Sequence, residues 1–517
     1  MNETFADRLK TAMEAKGMKQ ADLIAAGAHL GIKLGKSQVS QYVSGKTRPR
    51  RDVADSLARI LGVSAAWLMD GAEPPMEPPV EGEGGRAPAR PAAAVRVQPP
   101  VVSETASKRS TPMREFKKSS KLDNVLYDVR GPLVDEAARM ERQGAHILKL
   151  NIGNPAPFGF RTPYEVIEDM REQLPDCEGY SDARGLFSAR KAIMQYSQIK
   201  GLPNVKMDDI YTGNGVSELI NLCMQALLDN GDEILIPTPD YPLWTACATL
   251  AGGTPVHYMC DEQAEWNPDI ADLESKVTSR TKAIVVINPN NPTGAVYPRE
   301  VLEQIVDVAR RHQLMIFSDE IYDRLVMDGY EHVSIASLAP DLFCVTFSGL
   351  SKSHMIAGFR VGWMIASGNK KLGRDFMEGV NMLSNMRLCS NVPGQSIVQT
   401  ALWGHQSVKD YVVPGGRVYD QREYVYNALC DIPGISVVKP KAAFYIFPKM
   451  DVKKFNITDD EKFALDLLRE KHILITRGMG FNWGEPDHFR IVYLPRMSVL
   501  EEAMGDLKDF FSHYWQE

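Results

Sequence analysis

Short runs of aliphatic and β-branched residues alternate with helical stretches in residues 113–517, and this alternation limits the fold more than any other feature. The segment Arg299–His312, which lies between two of the runs, has the apolar spacing of a helix. Uninterrupted apolar strands between helices need cover on both faces, so the pattern predicts an α/β fold with a mostly parallel sheet. The four clearest runs are Glu233–Pro237, Ala283–Ile287, Leu314–Phe317 and Cys344–Phe347.

Residues 71–112 have a different composition, with nine prolines among Ala, Gly and Glu and with no Leu, Ile or aromatic residue. Such a segment cannot offset its ordering entropy by burying apolar surface. It is therefore predicted to be a disordered linker. The linker separates a head, residues 1–70, from a body, residues 113–517.

The charge of the chain is unevenly distributed. The formal net charge is −7, yet residues 1–70 carry eleven Lys and Arg against seven Asp and Glu. A weak overall charge excludes nucleic-acid or membrane binding by the whole molecule, whereas the basic head is suited to an anionic partner. With 44% hydrophobic and 24% charged residues, global disorder is also excluded.

The seven cysteines are scattered without CxxC spacing, which argues against disulfides and against a zinc site. No metal site is predicted.

The first residues lack the apolar core of a secretion signal, and no run of about 18 apolar residues occurs that could cross a membrane. The sequence is therefore expected to be cytoplasmic and free of membrane contact.

Two segments of the head, starting at Phe5 and at Val53, have one apolar stripe at helical spacing. Between them, Lys36–Ser44 predicts a short helix closed by Gly45. The head resembles the Cro/C1-type helix-turn-helix domain over nearly all of residues 1–70, although Ala25–Lys36 is several residues longer than in the usual motif. The resemblance implies DNA binding, with base contacts from the second motif helix and phosphate contacts after it. The matching residues are Ser37, Gln38, Gln41, Lys46 and Arg48. A helical bundle that binds protein, or that binds nothing, is the alternative.

Polar side chains follow each of the four apolar runs of the body. In parallel sheets ligands gather at the carboxyl ends of the strands, so these groups are expected to converge on one edge. They comprise an aromatic ring, an amide, a carboxylate, a phenol and an amine, which together suit the chemistry of a pyridine aldehyde cofactor. The residues are Tyr241, Asn291, Asp319, Tyr322 and Lys352.

Residues 119–517 strongly resemble the fold type I, pyridoxal-phosphate-dependent aminotransferases of class I/II, and more narrowly the bacterial glutamate–pyruvate (alanine) aminotransferases. The eight-residue spacing from Lys352 to Arg360 matches the lysine and phosphate-binding arginine of that family. The resemblance implies a mostly parallel central sheet with a small C-terminal α/β domain. It is carried by the segments LNIGNPAPFGF, GNGVSEL, PTPDYPLWTA, NPNNPTGAVY, DEIYD, GLSK and HFRIVYLPR.

The resemblance also implies a role for each matching residue toward pyridoxal 5'-phosphate. Lys352 binds the cofactor covalently and moves the proton in catalysis, Asp319 pairs with the ring nitrogen, and Tyr241 stacks on the ring. Asn291 and Tyr322 reach the phenolic oxygen. The implied phosphate ligands are Gly215, Val216, Ser217, Ser351, Arg360 and, from the neighbouring subunit, Tyr180. Sites that share residues between subunits imply a homodimer.

For the substrate, Arg490 matches the family's clamp on the α-carboxylate, a bidentate fork that lysine cannot reproduce. Gly153 matches a backbone contact to the same carboxylate, and Asn291 also borders it. Tyr127 and Arg130 match an N-terminal arm that covers the substrate. The chain departs from the family three residues before the lysine, where Gly349 replaces a frequent serine and Ser348 lies one residue further away.

These roles predict transamination between an L-amino acid and a 2-oxo acid, most specifically L-alanine with 2-oxoglutarate. Two alternatives remain open. A lyase would use the same lysine and the same electron sink for β-elimination or decarboxylation. A transcription regulator would use the body to sense an amino acid and the head to bind DNA.

Overall fold

The computed structural model describes residues 4–29, 35–71, 115–123, 125 and 131–517. It divides the chain into two compact units, Met1–Pro112 and Met113–Glu517. Tyr127 and Arg130 lie outside the described residues, as does nearly all of the predicted linker.

The described part of the first unit is helical. The predicted stripe of Phe5, Leu9, Ala12 and Met13 is buried and packs with other apolar side chains of the unit. The predicted short helix is also present, and Gly45 follows it with φ +76°, a left-handed conformation that suits glycine. The helices are α1 (Phe5–Ala15), α2 (Gln20–His29), α3 (Lys36–Val43), α4 (Arg51–Leu61) and α5 (Ala65–Asp70).

The second unit combines strands and helices. Its strands are β1 (Leu148–Lys149), β2 (Ile210–Asn214), β3 (Glu233–Thr238), β4 (Thr254–Asp261), β5 (Asn267–Pro268), β6 (Thr281–Ile287), β7 (Met315–Asp319), β8 (Phe343–Gly349), β9 (Val361–Gly368), β10 (Ile435–Ser436), β11 (Tyr445–Ile446), β12 (Lys449–Met450), β13 (Ile473–Leu474), β14 (Thr476–Arg477) and β15 (Phe489–Val492). Its helices are α6 (Pro132–Arg142), α7 (Tyr164–Gln173), α8 (Phe187–Ile199), α9 (Val216–Leu227), α10 (Leu243–Ala251), α11 (Ile270–Ser275), α12 (Arg299–His312), α13 (Leu350–Ser353), α14 (Arg374–Met386), α15 (Val392–Ser396), α16 (Val398–Trp403), α17 (Val408–Tyr411), α18 (Arg417–Cys430), α19 (Val452–Phe455), α20 (Asp460–Lys471) and α21 (Met497–His513).

Eight strands form the large sheet in the order β2-β9-β8-β7-β6-β3-β4-β5. β9 runs antiparallel to β2 and β8, and β5 runs antiparallel to β4, whereas the pairings among β3, β4, β6, β7 and β8 are parallel. The prediction of a mostly parallel sheet is confirmed. The pairing of Ile287 with Asp319, and of Asp319 with Phe347, brings the carboxyl ends of β6, β7 and β8 to one edge.

Side chains of the central strands alternate between two apolar cores. In β3, Ile234 and Ile236 pack on one face and Leu235 packs on the other. Leu219 of α9 belongs to the first core and Ile305 of α12 to the second. Helices therefore cover both faces, which explains why the strands read as continuous apolar runs instead of alternating ones.

The remaining strands form three small sheets with the C-terminal helices, which confirms the small C-terminal α/β domain. These sheets pair β1 with β13, β10 with β12, and β15 with both β11 and β14. Phe444, Phe463, Phe489 and Leu507 lie in their shared apolar core. Among the described residues, no helix is both long and apolar enough to span a bilayer.

Candidate active site

A cavity of about 200 Å³ lies at the carboxyl ends of the parallel strands. It brings together most of the residues that the sequence predicts for the site. They are Gly153, Val216, Ser217, Tyr241, Asn291, Asp319, Tyr322, Ser351, Lys352, Arg360 and Arg490. Gly215 directly precedes the two that begin α9.

Lys352 is the amine of this cavity. It lies in α13, the single turn that follows β8, and its Nζ donates a hydrogen bond of 2.6 Å to the carbonyl oxygen of Gly153. The same Nζ lies 5.9 Å from the centre of the Tyr322 ring. The amine therefore points into the cavity and is held by a neutral backbone acceptor instead of a carboxylate.

Asp319 is the last residue of β7 and is 4% exposed. The indole N–H of Trp244 donates to its Oδ2 at 3.3 Å, and the backbone N–H of Ile321 donates to its Oδ1 at 3.2 Å. Burial raises the pKa of Asp319 to about 6, although both hydrogen bonds oppose this shift. A cationic group placed against this carboxylate would favour its charged form.

The start of α9 has the local features that an anion site requires. Gly215 precedes the helix with φ +86°, and the first N–H groups of a helix have no partner within it. Arg360 lies beside this turn, because its Nη2 donates to the carbonyl oxygen of Asn214 at 3.1 Å. A side-chain carbon at Gly215 would overlap with the Arg360 guanidinium. Glycine is therefore required for the arginine to approach the helix start.

Arg490 of β15 is buried, with 6% of its surface exposed. Its Nη1 donates to the side-chain oxygen of Asn291 at 2.9 Å, and its Nη2 donates to the backbone carbonyl of Asn151. The guanidinium also lies over two rings, 4.3 Å from the centre of Tyr445 and 4.6 Å from that of Phe481. This planar cation faces the cavity that contains Lys352.

Three polar or aromatic side chains of the site were not predicted from the sequence. Asn151 and Tyr445 line the cavity, and Trp244 binds Asp319. Trp244 and Tyr445 lie in the segments LWTA and AAFYIF, whose apolar character is typical of packing. The signal for Trp244 is its place three residues after Tyr241, at the start of α10, the helix that follows β3.

Gly349 has a steric reason to replace the family's frequent serine. A side-chain carbon at Gly349 would lie 2.6 Å from the carbonyl oxygen of Val361. Ser348 is buried in β8 opposite Trp363 and does not line the cavity. Ser351, which does line the cavity, carries a hydroxyl and directly precedes Lys352 in the chain.

Tyr180 lies outside the cavity lining, and 83% of its surface is exposed. A residue that serves the site of a second subunit would have this exposure in a single chain. The predicted contact of Tyr180 with the phosphate in the neighbouring subunit stays a prediction.

In the head, the predicted DNA contacts differ in their environment. Val39 and Tyr42 of α3 are buried, whereas Ser37, Gln38 and Gln41 are exposed, as is Lys46 beyond the helix. Arg48 is also exposed, but its Nη2 donates to the carbonyl oxygen of Met69 at 2.6 Å. The structure therefore gives Arg48 a partner at the end of α5.

The residues of the cavity fit pyridoxal 5'-phosphate. The amine of Lys352, the buried carboxylate of Asp319 and the glycine-bounded anion site at the start of α9 match the aldehyde, the ring nitrogen and the phosphate of that cofactor. Arg490 places a separate cation at the same cavity.

Comparisons with known proteins agree with both resemblances. The family described as "Aminotransferase class I and II" matches residues 145–506, and the "Helix-turn-helix" family matches residues 9–68. "Glutamate-pyruvate aminotransferase AlaA" of Haemophilus influenzae is 57% identical over 78% of this chain and 100% of its own length. "Alanine aminotransferase" of Mycobacterium bovis is 55% identical over 78% of this chain and 94% of its own length.

Solved structures give the same result. An aminotransferase from Escherichia coli is 55% identical and covers 78% of this chain and 100% of its own, with a TM-score of 0.77. Alanine aminotransferase from Pyrococcus furiosus is 38% identical, covers 77% of this chain and 100% of its own, and has a TM-score of 0.73. The chain belongs to the class I and II aminotransferase family.

Proposed function

We propose that this chain transfers an amino group between L-alanine and 2-oxoglutarate, which gives pyruvate and L-glutamate, with pyridoxal 5'-phosphate as cofactor. One observation carries the proposal: Lys352, Asp319 and Arg490 line the same cavity. The choice of substrates is supported by similar proteins, which are named glutamate-pyruvate and alanine aminotransferases.

When bound, the cofactor supplies an aldehyde that reacts with amines and a ring that accepts electrons. Lys352 holds it covalently, and Nζ then moves the proton at the substrate Cα as a general base and acid. Asp319 keeps a negative charge in the cavity for the ring nitrogen. The start of α9, Ser351 and Arg360 hold the phosphate, and Arg490 orients the substrate through its carboxylate.

Both alternative functions are disfavoured. A regulator that senses an amino acid through the cofactor would also hold it with Lys352, but relatives that match 78% of this chain are named as aminotransferases. A lyase would use the same residues, but the similar proteins are named as aminotransferases. The products distinguish a lyase from an aminotransferase, since β-elimination releases ammonia and decarboxylation releases carbon dioxide.

The test is to supply the purified protein with L-alanine and 2-oxoglutarate. We expect pyruvate and L-glutamate in equal amounts, with no ammonia. Lys352→Ala should abolish turnover and the cofactor adduct that borohydride reduction traps, whereas Lys371→Ala should change neither. Exchange of 2-oxoglutarate for other 2-oxo acids tests the acceptor. Sustained ammonia release, or an unaltered adduct in Lys352→Ala, would contradict the proposal.

We further propose that the body forms a homodimer through the surface around Tyr180. Phe187 at the start of α8 is 67% exposed, and Met386 at the end of α14 is 78% exposed. Arg387 donates to the carbonyl oxygen of Ala183 at 2.9 Å, so the segment that carries Tyr180 lies against the end of α14. Large apolar side chains that are adjacent and exposed are typical of a subunit interface.

Sedimentation analysis tests the dimer. Met386→Glu should shift the protein toward monomers and lower its affinity for the cofactor, because Tyr180 would no longer reach a second site. Trp515→Glu changes another exposed apolar residue, at the C-terminus, and should leave the mass unchanged. A monomeric native protein with full activity would exclude the dimer.

The head is proposed to bind DNA through α3. Ser37, Gln38 and Gln41 are exposed on α3 and Val39 is buried, as in a helix that enters the major groove, while Gln38 Nε2 also donates to the Tyr42 hydroxyl at 2.9 Å. Lys46 is exposed and suited to a phosphate.

Binding to genomic fragments at several salt concentrations tests the head. Lys46→Ala should weaken binding to all sequences and reduce the dependence on salt by about one counterion. Gln41→Ala should instead change the preference among sequences. Deletion of residues 1–112 should abolish DNA binding and leave transamination unchanged. Absence of binding at low salt would remove this proposal.

We propose a cytoplasmic location from the state of the cysteines. All seven are free thiols, and four of them are buried, which suits a reducing compartment. Cell fractionation with an antibody to the body would test this.

A further inference from the structure

Tyr445 borders the candidate active site although no sequence motif predicted it. Its side chain is 3% exposed and lines the cavity with Lys352 and Arg490. It begins β11, which pairs with β15 so that Tyr445 lies opposite Val492, two residues beyond Arg490. The small sheet therefore fixes Tyr445 relative to the arginine.

The hydroxyl of Tyr445 contacts Tyr322, and its ring face contacts Arg490. Its hydroxyl lies 2.7 Å from the hydroxyl of Tyr322, and the planes of the two rings meet at 82°. Its ring face lies under the Arg490 guanidinium, 4.3 Å from ring centre to cation. A cation over an aromatic face is stabilised by the quadrupole of the ring.

The two hydroxyls have different electrostatic surroundings. Burial raises the pKa of Tyr322 well above its usual value. Burial acts in the same direction on Tyr445, but the positive charges of Lys352 and Arg490 outweigh it and lower the pKa of Tyr445. The two phenols therefore differ in acidity although they share one hydrogen bond of 2.7 Å.

Tyr445 also abuts the backbone that holds Lys352. A side-chain carbon at Gly153 would overlap with the Tyr445 hydroxyl, and the carbonyl oxygen of Gly153 accepts the hydrogen bond from Lys352 Nζ. The phenol of Tyr445 therefore lies next to Tyr322, Arg490 and the turn that contacts the amine.

We infer that Tyr445 is a positioning residue, whose hydroxyl orients Tyr322 and whose ring orients the Arg490 guanidinium. The inference rests on the proposed function, in which Tyr322 faces the cofactor and Arg490 binds the substrate carboxylate. A single buried side chain thus aligns two groups that act on different reactants.

Tyr445→Phe removes the hydroxyl and keeps the ring, so it separates the two effects. We expect kcat to fall about 10-fold, because the Tyr322 hydroxyl loses its partner, while KM for L-alanine stays within about twofold. The pH midpoint of the visible absorbance of the cofactor-loaded protein should shift. Tyr445→Leu, which also removes the ring, should additionally raise KM for L-alanine about 10-fold through Arg490.

A double-mutant cycle tests whether Tyr445 acts through Tyr322. The absorbance shift in Tyr322→Phe/Tyr445→Phe should equal that in Tyr322→Phe alone, since one hydrogen bond is lost in either case. Effects that add would overturn the inference. The matched control is Tyr493→Phe, since Tyr493 is equally buried, donates to the carbonyl oxygen of Ala443 at 3.1 Å and lies outside the cavity lining.

Thermal unfolding of all variants distinguishes positioning from folding. We expect Tyr445→Phe and Tyr493→Phe to lose similar stability, with the spectral shift confined to Tyr445→Phe. Equal spectral shifts in Tyr445→Phe and Tyr493→Phe would overturn the inference.

Ultraviolet titration of tyrosinate in the cofactor-free protein is a second measurement, which does not depend on turnover. In this titration Tyr445→Phe should remove the most acidic buried phenol. Failure of the proposed function would appear separately, as a wild-type protein without transamination.

Discussion

The indole N–H of Trp244 donates a hydrogen bond to Oδ2 of Asp319 at 3.3 Å, and both side chains are buried. An indole nitrogen can donate a hydrogen bond but cannot accept one or take up a proton. Trp244 therefore stabilises the charged form of Asp319 without neutralising it, which leaves the charge available for a cationic ring nitrogen.

Trp244→Phe should raise the pKa of Asp319 and weaken the binding of pyridoxal 5'-phosphate about 10-fold at neutral pH. Phenylalanine keeps the packing against Phe317 and Phe347, so the loss reports the hydrogen bond. Cofactor titration followed by visible absorbance measures the effect. Trp363→Phe is the control, because the buried N–H of Trp363 has no hydrogen-bond partner in the described part of the chain.

Gly215→Ala should weaken cofactor binding about 10-fold, because the new side-chain carbon displaces the Arg360 guanidinium from the start of α9. It should also cost about 1 kcal/mol of unfolding free energy, since alanine is strained at φ +86°. Gly231→Ala is the matched control. It has φ +95° and no atom within 4 Å of the new carbon, so it should lose stability alone. Equal cofactor affinities in the two variants would refute the role of this turn.

Arg490→Lys should raise KM for L-alanine about 100-fold, because a lysine cannot form two parallel hydrogen bonds to a carboxylate. Steady-state kinetics with separate kcat and KM values would check this. Arg310→Lys makes the same change at a surface arginine, whose Nε and Nη2 bind Asp341 at 2.7 and 2.9 Å, and should leave both constants unchanged. An unchanged KM in Arg490→Lys would remove the carboxylate clamp from the proposal.

Asp240 should make the stability of the cofactor-free protein depend on pH. Burial raises its pKa to about 7, against the hydrogen bonds from Asn482 and Thr245. The folded protein then binds a proton that the unfolded chain releases near pH 3.8, so its contribution to stability is full below that pH and is lost as pH rises to about 7. The slope reaches at most about 1.4 kcal/mol per pH unit.

Chemical unfolding of cofactor-free protein at several pH values measures this effect. Asp240→Asn should flatten the decline in stability between about pH 5 and about pH 7. The control Asp431→Asn, which changes an exposed carboxylate, should leave that decline unchanged. Asp319 contributes a decline of the same sign, with its pKa of about 6, so the slope should decrease without vanishing. An unchanged slope would show that Asp240 does not titrate in this range.

Much of the site could be predicted because its residues follow strands. Asn291, Asp319 and Lys352 come after β6, at the end of β7 and after β8, and parallel strands deliver such residues to one edge of the sheet. The helix Arg299–His312 was predicted with the bounds that the structure has, since its apolar stripe runs between a proline and a left-handed Gln313.

The remaining residues of the site depend on tertiary contacts that leave no periodic signal. β11 is two residues long, so the segment around Tyr445 carries no strand pattern that could direct it to the cavity. Asn151 contributes a backbone carbonyl to Arg490, and every residue type has such a carbonyl. Arg48 was predicted as a phosphate contact, and its bond to Met69 arises from the packing of α5 against the other helices.

The bond from Lys352 to Gly153 joins residues 199 positions apart, and the bond from Arg490 to Asn151 joins residues 339 positions apart. The active site therefore needs residues from both ends of the span 151–490. Measurable transamination then indicates that this whole span has folded. A terminal extension such as residues 1–70 leaves that span uninterrupted. A second domain can therefore be fused at this end of the body without interrupting the residues that form the active site.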